Sequence, residues 1–233
     1  MKKYITSIIF LCCLNLNSQV SSGKITYNIQ APDIDTKSND PKSVMLKKLI
    51  IENARNQSFV LEFNKNKSSF KRSMKLNLLS DKEKMIDKIT SGLITISYNC
   101  FFDQNAENYI LQTEDGILVR KPFKSLDWEI FTESKMIDNY LCYKALCYKK
   151  NVNMKGEEKN SLVTAWFSPE LPYSYGPKEF YGLPGLILEL QEGKIIFYAT
   201  EISIIDLKKE IDFPKGKTIT EEEYRRGALV QQY

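Results

Sequence analysis

The sequence predicts a mainly β (α+β) domain, a large curved antiparallel sheet shaped as a half-barrel or open barrel, with one early amphipathic helix and a short C-terminal helix. Three observations carry this. From Leu93 onward the chain is a series of short apolar runs, most with two-residue alternation. Asp115-Gly116 and Glu192-Gly193 separate such runs as tight turns in which glycine can take positive φ, and strands joined that way pair antiparallel. Before them, "SNDPKSVMLKKLIIENARNQ" carries the clearest helical period in the chain.

In chain order, "GKITYNI" reads as a first strand with Ile25, Tyr27 and Ile29 on one face. In the helical stretch Asp40 can cap, Pro41 takes the first position, where its missing N–H costs nothing, and Leu46, Leu49, Ile50 and Asn53 or Ala54 form the apolar stripe. "SFVLEF" and "SSFKRSMKL" alternate around the polar "NKNK", which makes a hairpin. The charged "SDKEKMIDKITSG" reads as a helical turn or a loop. The strand runs follow, and the tail "TITEEEYRRGAL" places Thr220 three residues before Glu223, a capping box that opens a helix ending near Gly227.

The chain of 233 residues, 42% hydrophobic, is long enough for one well-buried core. Residues 1–19 read as a secretory signal peptide, with two lysines, an apolar stretch from Tyr4 to Leu14 too short to span a membrane, and small polar residues after it; residues 20–233 then form a single β-rich domain, periplasmic or secreted. Neither Cys12 nor Cys13 follows the small residue that a lipoprotein cleavage site needs. No later stretch is apolar enough to serve as a transmembrane segment. Without Lys2 and Lys3 the chain holds 31 basic and 29 acidic groups, interspersed throughout, which argues against nucleic acid as a partner.

An exported chain with Cys100, Cys142 and Cys147 should pair two of them. On one strand Cys142 and Cys147 would face opposite ways about 16 Å apart, beyond the roughly 7 Å reach of a disulfide, so they could bond only across a turn. The expected pair is Cys100 with Cys142, leaving Cys147 free.

In "EFYGLPGLILEL", Pro184 and Gly185 suit the two central positions of a type II turn, with Gly182 a further permissive residue. A phosphate loop would run its glycines into a helix N-terminus; this one runs into "LILEL". The corner should aim Leu186, Leu188 and Leu190 at one sheet face and Ile187 and Glu189 at the other. The elements "NYLCYKA", "TAWFSP" and "GLPGLI", within a stretch from about Trp128 to Leu190, resemble the GLPGLI family, also called Porph_ging, of secreted proteins from the Bacteroidetes group. That resemblance implies export and a functionally uncharacterised family, with no activity to carry over.

No histidine occurs, which removes the usual Ser-His-Asp and Cys-His arrangements and the commonest zinc ligand. Cys147 has no base beside it and reads as a buried bystander. "DIDTKSND" lacks the glycine of a calcium loop and reads as a solvated turn, so neither a metal nor a cofactor is expected. Among the aromatic residues near the motif, Trp166, Tyr173, Tyr175 and Tyr181 either pack in the core or line an apolar concavity of the sheet. The functional expectation, by fold analogy to the half-barrels of lipoprotein carriers, is a non-enzymatic binding protein for an apolar or peptide-like ligand. A cell-envelope protein partner is the alternative, and a histidine-free hydrolase follows it.

Overall fold

The chain forms β1 (Ser22–Gln30), α1 (Pro41–Asn56), β2 (Ser58–Phe63), β3 (Lys67–Arg72), α2 (Asp81–Leu93), β4 (Tyr98–Asp103), β5 (Asn108–Thr113), β6 (Leu118–Pro122), β7 (Glu129–Ile137), β8 (Tyr140–Val152), β9 (Glu158–Ser168), β10 (Leu186–Glu192), β11 (Ile195–Ile205), β12 (Thr218–Thr220) and α3 (Glu221–Val230). The computed structural model describes residues 22–33, 40–73, 80–152, 158–205 and 210–230, so the leader expected at 1–19 and most of the aspartate-rich turn at 33–40 lie outside it. All twelve strands join one open curved sheet in the order β12-β6-β5-β4-β3-β2-β1-β11-β10-β9-β8-β7. Every pairing is antiparallel except β12 with β6, which is parallel.

Connectivity forces the curvature. Ten strand intervals separate β6 from β7, about 48 Å along a flat sheet at ~4.8 Å each. The chain crosses between them with residues 123–128 alone, seven Cα steps that reach at most about 25 Å. The sheet must therefore bend its two wings toward each other. It stops short of a barrel because β12 and β7 do not pair.

Register assigns the core to one face. Leu190, Phe197 and Ile29 are cross-strand partners, as are Gly23 with Phe63, Tyr27 with Phe59, and Leu61 with Phe70. Partners share a face, so these residues and those in step with them line the concave side. Ile25, Tyr27 and Ile29 are buried there as the alternation of β1 predicts. A smaller cluster of Phe101, Ile110 and Leu118 lies on the opposite face of the β4–β6 wing under Phe213.

The local signals hold with specific corrections. Asp40 accepts from the Lys42 and Ser43 amides and caps α1, yet the buried stripe is Ile50, Ile51 and Ala54, with Leu46 exposed. The helix turns this way because it packs against α2, a full helix where the sequence reading allowed only a turn or loop. The signal for α2 was present: Ser80 and Glu83 form the same capping box as Thr220 and Glu223. Arg72 fastens α2 to β3 through Ser91 at 2.5 Å and Asp87 at 2.8 Å. Helix α3 continues through Gly227 to Val230 instead of stopping there.

The Cys100–Cys142 disulfide is absent. Cys100, Cys142 and Cys147 are free and buried, because β3, β2, β1, β11, β10 and β9 stand between the first two. Cys142 and Cys147 share β8, where the expected five-residue spacing keeps them apart.

The motif corner differs from a type II turn. The positive φ belongs to Gly182, at 94°, and not to Gly185. Gly185 is required by proximity: a Cβ there would lie 2.1 Å from the Ser168 carbonyl oxygen. A bulge then falls at Leu188, since Ile187 pairs with Phe167 and Glu189 with Trp166. The extra residue flips the alternation, so Ile187 and Leu190 share the concave face that the even spacing had given to Leu186, Leu188 and Leu190. The Tyr27 hydroxyl donates to the Ile187 carbonyl at 2.6 Å, tying the bulge to the central strand.

Two stability outcomes follow. Gly185→Ala should cost about 3 kcal/mol, because backbone and not a mobile side chain meets the new methyl, and calorimetry should show the melting temperature down by roughly 10 °C. Tyr27→Phe should cost about 2 kcal/mol by leaving a buried carbonyl unpaired; an unchanged urea midpoint would show that water reaches the bulge.

Candidate functional site: the loop-filled concave face

Residues 169–185 leave β9, cross the concave face and return to β10 without regular secondary structure, a length that compact domains seldom leave unstructured. The loop closes on itself: Gly182 N–H donates to the Ser174 carbonyl at 3.1 Å, and Leu186 N–H donates to that of Leu171 at 2.9 Å. Its aromatic residues reach the far wing. Tyr173 and Tyr175 pack on Phe63 of β2, and Tyr181 stacks on Phe102 of β4 at 4.7 Å and on Phe123 at 5.2 Å. The Tyr175 hydroxyl donates to the Lys65 carbonyl, the Tyr181 hydroxyl to that of Lys124, and Trp128 Nε1–H to the Tyr181 carbonyl.

The candidate aromatic residues therefore separate. Tyr173, Tyr175 and Tyr181 come together as the filling of the concavity. Trp166 lies on the opposite face of β9, in step with Lys144 and Glu189, with the Lys135 ammonium 4.4 Å from its ring centroid. The space bordered by Tyr175, Tyr181, Cys100 and Tyr109 measures about 10 Å³, room for one water. The buried Tyr109 hydroxyl there has no nitrogen or oxygen partner among the described residues.

Beside this filling lies a charged network that sequence reading missed. Glu179, just before the motif, receives Lys149 of β8 at 2.8 Å and the Tyr98 hydroxyl of β4 at 3.2 Å, with Lys121 of β6 at 3.9 Å. Glu192, at the end of β10, receives Lys149 at 3.0 Å and pairs with Lys178. Lys149 sits on one wing, Tyr98 and Lys121 on the other, and the loop residue Glu179 bridges them. Burial alone would raise the Glu179 carboxyl, but Lys149, Lys121 and Lys178 overcome it and hold it at about 2. Glu192 is held low against its burial by Lys178 and Lys149, and Lys149 is raised against its burial by the two carboxylates. Burial pushes the Cys100 and Cys142 thiols up to about 12 and Cys147 to about 11, which leaves all three poor nucleophiles at neutral pH.

Two further surfaces are open among the described residues. Next to the network, Gly92, Leu93, Ile94, Thr95, Lys178, Glu192, Ile195 and Phe197 border a depression of about 260 Å³. At the sheet margin, β7 hydrogen-bonds β8 on one side and has no strand on the other among the described residues. Ile130, Met136 and Leu141 stand exposed along that margin, on the face that continues the concave core through Ala145 and Tyr143. The opposite margin ends in the three-residue β12, with α3 packed beside it.

The network sets an acid limit. The Glu179 carboxyl titrates near 4.5 unfolded and about 2 folded. Its stabilisation is complete above pH 4.5 and is lost as pH falls toward 2, with Glu192 acting in the same sense. Urea midpoints measured from pH 7 to 2 should fall across that window. Glu179→Gln should lower the midpoint at pH 7 by the equivalent of about 3 kcal/mol and flatten the fall; an undiminished slope would place the acid sensitivity elsewhere.

Residues 148–189, from β8 through the loop into β10, match the family model described as "Protein of unknown function (Porph_ging)". No curated protein matches the chain. Among solved structures, PNGF-II in its C2 and P21 crystal forms is similar at a TM-score of 0.54 and 14% identity, over 91% and 88% of this chain. The chain spans about a third of the length of that protein, 33% and 32% in the two forms, and the likeness is one of fold alone.

Proposed function

We propose that the protein is a non-enzymatic, exported interaction module that holds an extended, peptide-like segment of a cell-envelope partner along the free edge of β7. The observation that carries this is the asymmetry of the sheet: one margin is short and flanked by a helix, while the other offers nine residues of strand with no neighbour among the described residues. A strand laid against β7 would satisfy its outward backbone groups and could set alternate apolar side chains beside Ile130 and Met136, which are 51% and 59% exposed. The bulge between Ile130 and Ser134 interrupts the margin and leaves Ser134–Ile137 as the regular portion. The leader expected at 1–19 and the resemblance to the GLPGLI family support export as the setting.

A carrier of an apolar small molecule needs a pocket of about 300 Å³ or more, and the space beside the loop in the concave face measures about 10 Å³. An acid/base role for the two network carboxylates is disfavoured because lysines hold both low, which leaves them weak bases with no proton to donate near neutral pH.

The test is a photo-crosslinking residue at Met136, with a control at the exposed Met85 of α2, in cells of the source organism. A single adduct of defined mass at 136, absent at 85 and abolished when Ile130→Lys/Leu141→Lys is added, is expected. Equal adducts at both sites, or capture that survives the double substitution, would overturn the reading.

A further inference from the structure

The free edge of β7 carries a charge of one sign. Between Phe123 and Tyr143 the chain has four acidic residues, Asp127, Glu129, Glu133 and Asp138, and two basic ones, Lys124 and Lys135. Glu170, just past the end of β9, joins them by accepting from the Leu141 N–H at 3.2 Å. Two of these charges are already matched: Glu133 pairs with Lys144 and Lys135 with Glu189, each at 2.7 Å. That leaves Asp127, Glu129, Asp138 and Glu170, all exposed, with Lys124 as the one cation of the stretch outside those pairs.

The surplus sits at the two ends of the edge, with the exposed apolar side chains between. Asp127 and Glu129 mark its start, Asp138 and Glu170 its finish, and Ile130 and Met136 lie inside that span. On the neighbouring hairpin, Lys150 lies four residues beyond Leu146, the partner of Glu129, which is about 13 Å along the strand and more than the Debye length of roughly 8 Å at physiological ionic strength. The chain as a whole is net positive, at +4, so the acidity belongs to this margin and not to the molecule.

The charges select among the strands that could lie there. Two copies of β7 paired antiparallel would set Asp127 and Glu129 of one against Asp138 and Glu170 of the other, and paired parallel each acid would face itself, so a second copy of this chain is repelled either way. Residues 140–146 of β8 cover the paired side of the edge, a distance of about 20 Å at ~3.4 Å per residue, and an extended segment on the free side needs a similar number. Resting on the reading that β7 receives a strand, we propose that the strand is basic at both ends: about seven extended residues, apolar at alternate positions beside Ile130 and Met136, with lysine or arginine just outside each end to meet Asp127 and Glu129 on one side and Asp138 and Glu170 on the other. Exposed charges of this kind add little to affinity singly; together they set the choice of partner and the encounter rate.

The test is a displayed peptide library with about seven random residues between two flanks, made in Lys-Lys, Ser-Ser and Glu-Glu forms, mixed equally and selected on the immobilised full chain at low ionic strength. Recovery of the Lys-Lys form about fivefold above the Ser-Ser form is expected, with the Glu-Glu form depleted. The preference should vanish at about 0.5 M salt and in Asp127→Asn/Glu129→Gln/Asp138→Asn, which leaves the apolar part of the edge intact. The recovered sequences, as synthetic peptides, should slow amide hydrogen exchange across Ser134–Ile137. Equal recovery of the three forms with that protection, or a Lys-Lys preference that persists in the triple variant, would overturn the charge proposal and leave the edge reading standing. No enrichment of any form, or enriched peptides that leave β7 exchange unchanged, would overturn both. A dimer of the chain by itself that Ile130→Lys dissolves would give the edge to a second copy and overturn the proposal.

Discussion

The structure depends on a length mismatch. Six residues, 123–128, join strands that a flat sheet would hold about 48 Å apart, so the sheet wraps and its concave face becomes an interior. An interior of that size must be filled, and the chain fills it with residues 169–185. The crossing and the filling contact each other directly: Phe123 stacks on Tyr181, Trp128 packs near Phe180, and the Lys124 backbone both donates to and accepts from the Tyr181 hydroxyl. Neither segment has regular structure of its own, and each is ordered by packing against the other and against the sheet.

The network of Lys149, Lys178, Glu179 and Glu192 belongs to the same arrangement. A buried ion network is a weak source of stability, because desolvation offsets most of the attraction between its members. Its value here is positional. Tyr98 and Lys121 on one wing and Lys149 on the other meet a single loop carboxylate, so the loop can sit in one place only. Apolar contacts alone would leave the depth and direction of the loop less well defined.

Filling the concavity also decides where function can reside. A half-barrel with an empty concave face suggests a carrier. Once Phe63, Phe102 and the loop tyrosines close that face, the margin of β7 and the depression between α2 and the β10–β11 hairpin are surfaces still open among the described residues.

The sequence by itself determined what period and local chemistry can encode. The alternation of Ile25, Tyr27 and Ile29, the Asp40 cap, the glycine turns at Gly116 and Gly193, and the mainly β character of an open, curved sheet were all legible because each depends on neighbours within a few residues. The second helix was legible too, through Ser80 and Glu83, had its capping box been weighed as that of Thr220 and Glu223 was. Only the tertiary structure decided the rest. The bulge at Leu188 puts Ile187 on the inward face with Leu190, and nothing in "LILEL" signals it, since it arises from the match to Phe167 and Trp166 on another strand. Gly185 is glycine because of Ser168, and Lys149 meets Glu179 across 30 residues while Tyr98 meets it across 81. Alternation and capping act along the chain, whereas close approach and charge pairing act through space, and a single sequence records the first kind of constraint far more directly than the second.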